Sequence, residues 1–115
     1  MGEMPKAVQD VNRATGEIAK NVPEVMKAFL GFVGAVLKPG ALALKTKELI
    51  AVATALTARC TYCIGIHTHK AFAAGATEAE LWEVASVAVM MGGGPALTHV
   101  AELQKAIEEF RPCRS

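Results

Sequence analysis

Two cysteines and a histidine recur at helical spacing in the stretch RCTYCIGIHTHK, residues 59–70. Cys60, Cys63 and His67 are three, four and seven positions apart, which places them within roughly 60° of arc on one face of an α-helix. His69 projects to the opposite side of such a helix, so we expect only His67 to belong with the cysteines. This arrangement suits a redox-active disulfide, a metal site or packing alone.

The position of both thiols at the predicted start of a helix favours redox chemistry. Unpaired amide N–H groups and the positive end of the helix dipole stabilise a thiolate there. A sulfenic acid formed on one cysteine of a CxxC pair can be captured by the other. His67, one turn past Cys63, could hold a proton or orient water.

Glu48 is the candidate proton acceptor for this chemistry. It is the only acidic residue between Glu24 and Glu78, and it opens the apolar helix that precedes the cysteines. We expect a carboxylate there to be partly buried and to act as a general base. Tyr62, next to Cys63, is interpreted as a hydrogen-bonding group behind the site or as a cover over it.

Metal binding is the main rival interpretation of the stretch. Cys60, Cys63 and His67 could be three zinc ligands, but a structural zinc site needs a fourth, and the next cysteine is Cys113 in the C-terminal tail. Covalent haem attachment is excluded because Ile64, not histidine, follows the second cysteine. A zinc-stabilised or redox-sensing helical assembly without catalysis therefore remains an alternative.

The elements that must position these residues are all predicted to be helices. Helical spacing alternates with short breaks, and no segment alternates as a strand would, so the sequence predicts an all-α bundle of about six helices in a single domain, 1–115. The third helix is apolar on all sides and is expected to be buried all round. The predicted helices cover 5–20, Pro23 to Leu37, 47–59 with Thr46 as cap, Cys60 to Gly75, Thr77 to Met91 with a capping box to Glu80, and Ala96 to the tail, with a loop at 92–95.

Composition and charge narrow the possible partners. The chain has 115 residues, and its 12 Lys and Arg against 11 Asp and Glu are scattered, which argues against nucleic acid and acidic membranes as partners. No uninterrupted apolar run reaches the roughly 18 residues of a membrane span, and the N-terminus has no apolar signal core. We therefore expect a cytoplasmic protein, where a CxxC pair is usually redox-active or metal-binding.

The spacing of the candidate residues also resembles a known family. Glu48, eleven residues, Cys60-Thr-Tyr-Cys63, three residues and His67, with AVA after the glutamate and A..AGAT after the histidine, resembles the alkylhydroperoxidase D-like branch of the carboxymuconolactone decarboxylase superfamily. The resemblance is strong over about 46–77 and loose to about 110. It implies an all-α fold in a ring-shaped homo-oligomer, trimeric or hexameric, which agrees with a small domain that has more apolar surface than one core can hide.

The resemblance further implies a thiol-dependent peroxidase or disulfide oxidoreductase that needs no cofactor besides a Cys60–Cys63 disulfide. In the family the second cysteine, here Cys63, attacks the hydroperoxide and the first, here Cys60, resolves the sulfenic acid. Glu48 and His67 relay the proton, and a thiol donor such as a dihydrolipoyl protein re-reduces the disulfide.

Two departures from the family pattern bear on this assignment. The peroxidase members carry histidine at the position of Tyr62 and have a longer, duplicated chain. The lactone decarboxylases lack the CxxC pair, which ranks a decarboxylase-type lyase third among the possible functions. Arg59 is the nearest basic residue for such an activity.

Overall fold

The computed structural model describes residues 2–112, so the predicted free thiol of Cys113 lies outside the described residues. Its helices, in chain order, are α1 Glu3–Asn21, α2 Pro23–Leu37, α3 Leu44–Ala58, α4 Thr61–Ala73 and α5 Glu78–Phe110. No strand occurs between residues 2 and 112, and the predicted all-α fold is confirmed.

The core lies where α3, α4 and α5 pack against one another. Its largest fully buried aliphatic side chains come from all three helices and include Val52, Leu56, Ile64, Leu81 and Leu103. Helix α1 covers the outer side of α4, where Met4 contacts Gly65 so closely that a Cβ added at that glycine would lie 3.0 Å from the Met4 Cε. The close approach of α1 to α4 therefore depends on a glycine in α4.

The N-terminus of α1 is held by the C-terminal end of α5. The Glu109 carboxylate accepts the backbone N–H of Met4 at 2.8 Å and that of Glu3 at 3.1 Å, and Lys105 donates to the Glu3 carboxylate at 2.7 Å. A carboxylate at a helix N-terminus satisfies unpaired amides and complements the helix dipole. The two ends of the described chain are thereby joined.

Two predictions about α3 are wrong. The helix begins at Leu44 after an extended Ala43, so Thr46 lies in the first turn and is not the cap. The helix is also not buried all round, because Ile50 is half exposed and Thr54 is exposed. The reason is tertiary: α2 makes only slight contact with α3, which leaves this side of the helix open.

The predicted loop at 92–95 is wrong as well. The chain stays helical there except at Gly93, whose φ of 66° and ψ of −150° bend α5 into two halves. Glycine adopts this backbone without the steric cost that a Cβ brings. Pro95 follows the break directly, in the first turn of the second half, where a missing N–H is tolerated. The predicted fifth and sixth helices are thus the two halves of α5.

The N-terminal capping box of α5 is confirmed. The Thr77 hydroxyl accepts the Glu80 N–H at 3.1 Å, and the Glu80 carboxylate accepts the Thr77 N–H at 2.9 Å. Lys45 from the start of α3 pairs with the same carboxylate at 3.0 Å. The Thr77 amide, followed by Lys45, holds the pKa of Glu80 below its ordinary value.

By length and composition alone, α5 is the one helix among residues 2–112 that could cross a membrane. In this fold Leu81 and Leu103 are buried in the core, whereas Met90 and Met91, next to the kink, are about three-quarters exposed. Helix α5 is therefore a core helix with an exposed apolar segment at its bend.

Candidate active site

The turn between α3 and α4 places the first cysteine. Arg59 takes a left-handed conformation with φ 57° and ψ 44°, at a cost on the order of 1 kcal/mol for a residue with a Cβ. Its N–H bonds the carbonyl of Leu56, and the next N–H bonds that of Ala55 at 3.0 Å, which closes the end of α3. Cys60 then becomes the extended N-cap residue of α4.

Cys60 is thus the N-cap and Cys63 lies in the first turn, so both cysteines are at the start of α4, where they form a disulfide. Their Cα atoms are 5.2 Å apart, within the ordinary range for a bridged pair. The structure also distinguishes the cysteines, because the Sγ of Cys60 accepts the backbone N–H of Cys63 at 3.3 Å. In the reduced protein this amide and the helix dipole would stabilise a thiolate on Cys60.

A carboxylate and an imidazole meet beside the sulfurs. The Oε1 of Glu48 lies 2.6 Å from the Nδ1 of His67, although the residues are 19 positions apart. Glu48 is only 2% exposed, whereas the His67 side chain is 24% exposed. An ionised carboxylate can only accept, so the Nδ1–H donates and Nε2 is left as a proton acceptor. The pair thus has the geometry of an oriented general base.

His67 and both cysteines line one pocket of about 620 Å³. The rest of its wall is largely apolar and comes from α2 and α3, including Phe32, Val36, Leu37, Ile50 and Ala51. Its one lysine, Lys47, donates to two carbonyls at the end of α2, each at 2.7 Å. The pocket therefore joins two sulfurs and one imidazole to a space that suits an apolar ligand.

Glu48 itself borders a different, smaller cavity of about 390 Å³, whose wall also includes Lys38 and Lys70. Sequence reasoning missed both lysines, although Lys70 follows His67 by three residues, the spacing of neighbours on one helix side. It also missed the contribution of α2 to the sulfur pocket, since an apolar helix gives no sign of which cavity it will border.

Three other residues considered from the sequence do not line the sulfur pocket. Tyr62 is half exposed, and neither it nor Arg59 is among the residues of the pocket wall. His69 stacks on Phe110 with ring centroids 4.7 Å apart, on the far side of α4, as its helical position predicted. For the zinc interpretation, residues 2–112 contain no group of three or more His, Cys, Asp or Glu side chains placed to hold a metal ion.

The fold and the site together define an all-α protein with a disulfide-forming CxxC pair at a helix start. The model of the carboxymuconolactone decarboxylase family matches residues 23–106, a span that includes every candidate site residue. The chain belongs to the carboxymuconolactone decarboxylase family. The family resemblance read from the sequence is thereby confirmed.

Similar proteins cover nearly the whole chain. The crystal structure of a carboxymuconolactone decarboxylase family protein from Legionella pneumophila has 40% identity and a TM-score of 0.92, over 96% of this chain and 98% of that one. A family member from Thermotoga maritima, described in connection with an antioxidative response, has 29% identity and a TM-score of 0.82, over 90% and 89%. An uncharacterized protein of the cox locus of Paracoccus denitrificans is 36% identical over 107 residues, 93% of each chain.

Proposed function

We propose that the protein is a cytoplasmic thiol-dependent peroxidase, a disulfide oxidoreductase that reduces hydroperoxides through Cys60 and Cys63. One observation carries the proposal: both sulfurs and His67 line the same apolar pocket, and the Nδ1 of His67 is hydrogen-bonded to the buried Glu48. A nucleophile, a second thiol and an oriented base therefore meet where a substrate could bind.

In the first proposed step the reduced Cys63 attacks the hydroperoxide. His67 takes the thiol proton at Nε2, and Glu48 stabilises the resulting imidazolium through Nδ1. The thiolate attacks the terminal peroxide oxygen, an S–O bond forms and the O–O bond breaks. The departing alkoxide takes the proton back from His67 and leaves as an alcohol, so Cys63 remains as a sulfenic acid.

In the second proposed step Cys60 resolves this intermediate. The Cys60 thiol gives its proton to His67 and its sulfur attacks the sulfenic sulfur; the S–S bond forms, the S–O bond breaks, and the leaving hydroxide takes that proton from His67 and departs as water. A Cα separation of 5.2 Å lets this happen without a backbone shift. A dithiol donor such as a dihydrolipoyl protein then reduces the disulfide and is itself oxidised to a disulfide, so electrons balance over the cycle.

A thiol titration before and after one equivalent of cumene hydroperoxide tests the proposal, with zinc assayed on the same sample. We expect the wild-type protein to lose two thiols per molecule as the disulfide forms. Cys63→Ser cannot form this disulfide and should lose no thiols in that way. Stoichiometric zinc with thiols that are inert to peroxide would overturn the proposal in favour of the metal site.

A lyase acting on a small lactone acid is the competing activity within this family. Its anionic substrate would need a free cation in the pocket, but the lysine there, Lys47, is already bonded to two backbone carbonyls. Activity on a lactone acid that survives replacement of both cysteines would favour the lyase.

We further propose that the protein works as a homo-oligomer in which a second copy covers α2. This helix has no buried residue, and it carries no charged side chain from Ala28 to Leu37. Val25, Phe29 and Phe32 are each more than half exposed. An uncharged helix of this kind suits the same surface on a second copy better than it suits water.

Sedimentation of Phe29→Glu tests the oligomer, because Phe29 is exposed and does not line the sulfur pocket. We expect the wild type to sediment as a trimer or hexamer and the variant as smaller species. Lys20→Glu, on the exposed side of α1, is the control for added negative charge. A monomeric wild type would refute the proposal.

A further inference from the structure

Helix α2 ends abruptly beside the sulfur pocket. Pro39 has no N–H and disfavours helical backbone at the residue before it, and Lys38 accordingly leaves the helix with φ −57° and ψ 133°. The N–H of Gly40, which would bond the carbonyl of Val36 if the helix continued, bonds that of Leu42 at 3.1 Å instead. The last carbonyls of α2 therefore need partners from outside the helix.

Lys47, in the first turn of α3, supplies these partners. Its ammonium donates to the carbonyls of Val36 and Lys38, each at 2.7 Å. A cation at the C-terminal end of a helix also complements the helix dipole, and α2 has no basic residue in its own last turn. Within residues 2–112, no other hydrogen bond joins the end of α2 to α3, and the two helices make only slight contact. The Lys47 ammonium is thus the polar fastening between them.

The fastened half of α2 is a wall of the sulfur pocket. Four of its apolar side chains line the pocket: Phe32, Val33, Val36 and Leu37. No residue of α2 is buried, so packing of the helix itself does little to fix its distance from α3. The separation of the two helices, and with it the width of the pocket, therefore depends on the bonds of Lys47.

We propose that Lys47 is a positioning residue for substrate binding: by holding the end of α2, it fixes the wall against which the hydrocarbon group of an uncharged organic hydroperoxide packs. The inference rests on the proposed function, because it takes the sulfur pocket as the substrate site. Hydrogen peroxide has no hydrocarbon group, so its reduction needs the sulfurs and His67 but not this wall. Loss of the Lys47 bonds should therefore affect organic hydroperoxides selectively.

The role of Lys47 is tested by Lys47→Met, which keeps an unbranched apolar side chain but cannot bond the carbonyls. We expect the KM for cumene hydroperoxide to rise about tenfold, the loss that follows when roughly one methylene group is no longer packed in an apolar pocket. The kcat and the rate with hydrogen peroxide should stay near those of wild type, because only substrate binding is weakened. Lys47→Arg keeps the cation and its donors and should restore most of the affinity.

Two further variants separate the wall from a general effect on the fold. Lys45, in the same turn of α3, pairs with Glu80 and does not line the pocket, so Lys45→Met should leave both peroxide rates unchanged. Leu37→Ala shortens the wall at the fastened end, and its effect on KM should be less than additive with that of Lys47→Met, because both changes act on the same contact. Sedimentation of Lys47→Met should match that of wild type, which excludes a change of oligomer as the cause.

The outcomes separate this inference from the proposed function. If wild-type protein reacts with peroxides, an unchanged KM in Lys47→Met, or equal losses with both peroxides, overturns the inference alone. If wild-type protein is inert, the proposed function fails, and calorimetric binding of 2-phenyl-2-propanol, the alcohol that corresponds to cumene hydroperoxide, decides the role of Lys47. We expect about tenfold weaker binding in Lys47→Met. Equal affinities, or no binding to wild type, overturn the inference.

Discussion

Replacement of Glu48 by glutamine should separate the proton relay from the rest of the site. The amide has nearly the shape of the carboxylate, so the side chain remains in its buried position beside His67. What changes is the 2.6 Å bond: a charge-assisted hydrogen bond becomes a neutral one, and the imidazolium loses its counter-charge. Stability should change little, because a buried charge is removed along with its partner interaction.

The expected loss of rate follows from these bonds. Hydrogen bonds to charged groups contribute about 1.5–3 kcal/mol against about 1 kcal/mol for neutral ones, a difference worth roughly tenfold in rate. General acid–base catalysis as a whole contributes about 100- to 10,000-fold, and because Glu48→Gln keeps the base His67, the loss should not exceed the low end of that range. We therefore expect Cys63 to be oxidised between ten and one hundred times more slowly in Glu48→Gln.

The assay is the rate of thiol loss after mixing with hydroperoxide, measured from pH 5 to pH 9, with thermal unfolding on the same samples. The chain supplies a matched control: His99 and Glu102 form a second histidine–carboxylate pair at 2.5 Å, outside the sulfur pocket. Glu102→Gln should leave the rate unchanged. An unaltered rate and pH profile in Glu48→Gln would refute the relay, and equal losses in both variants would indicate a structural effect.

Three further predictions concern the fold. Thr77→Ala should lower the free energy of unfolding by about 1 kcal/mol, measured by urea denaturation, because the cap of α5 is lost. The pKa of the Glu80 carboxyl is lowered on folding, so this group should stabilise the fold above its ordinary pKa of 4.5, and the stabilisation should be lost as pH falls through the lower pKa of the folded state. The urea midpoints measured at pH 7 and at pH 3 should therefore differ less in Glu80→Gln than in wild type. Gly93→Ala should destabilise by about 1–2 kcal/mol in the same assay, since φ is 66° there, whereas Gly94→Ala, at ordinary φ with no atom near an added Cβ, should not.

The capping box and the shared face of the sulfurs and His67 could be predicted because they are local. Hydrogen bonds of a helix cap reach three residues along the chain, and residues that share a helix face are separated by at most two turns. The end of α4 before Gly75, whose φ is 97°, could be predicted for the same reason, because it also depends only on residues close together in the chain. Such geometry follows from the backbone of one helix, whatever surrounds it.

Errors and omissions arose where packing between helices decides the outcome. A run of three glycines and a proline indicates a loop by composition, yet one residue, Gly93, absorbs the bend because both halves of α5 are anchored in the core by buried residues such as Leu81 and Leu103. The exposed side of α3 has the same origin, since an apolar helix is buried only where a neighbouring helix meets it.

The sequence by itself therefore determined the all-α class, the position of both cysteines at the start of a helix and the residue types that could do chemistry. Only the tertiary structure decided that Glu48 meets His67 across 19 positions, that α2 forms a wall of the sulfur pocket, and that Lys70 lines a second cavity together with Glu48. The physical reason is that helix propensity and capping act over one or two turns, whereas a pocket is defined by side chains from helices that the chain brings together only when it folds.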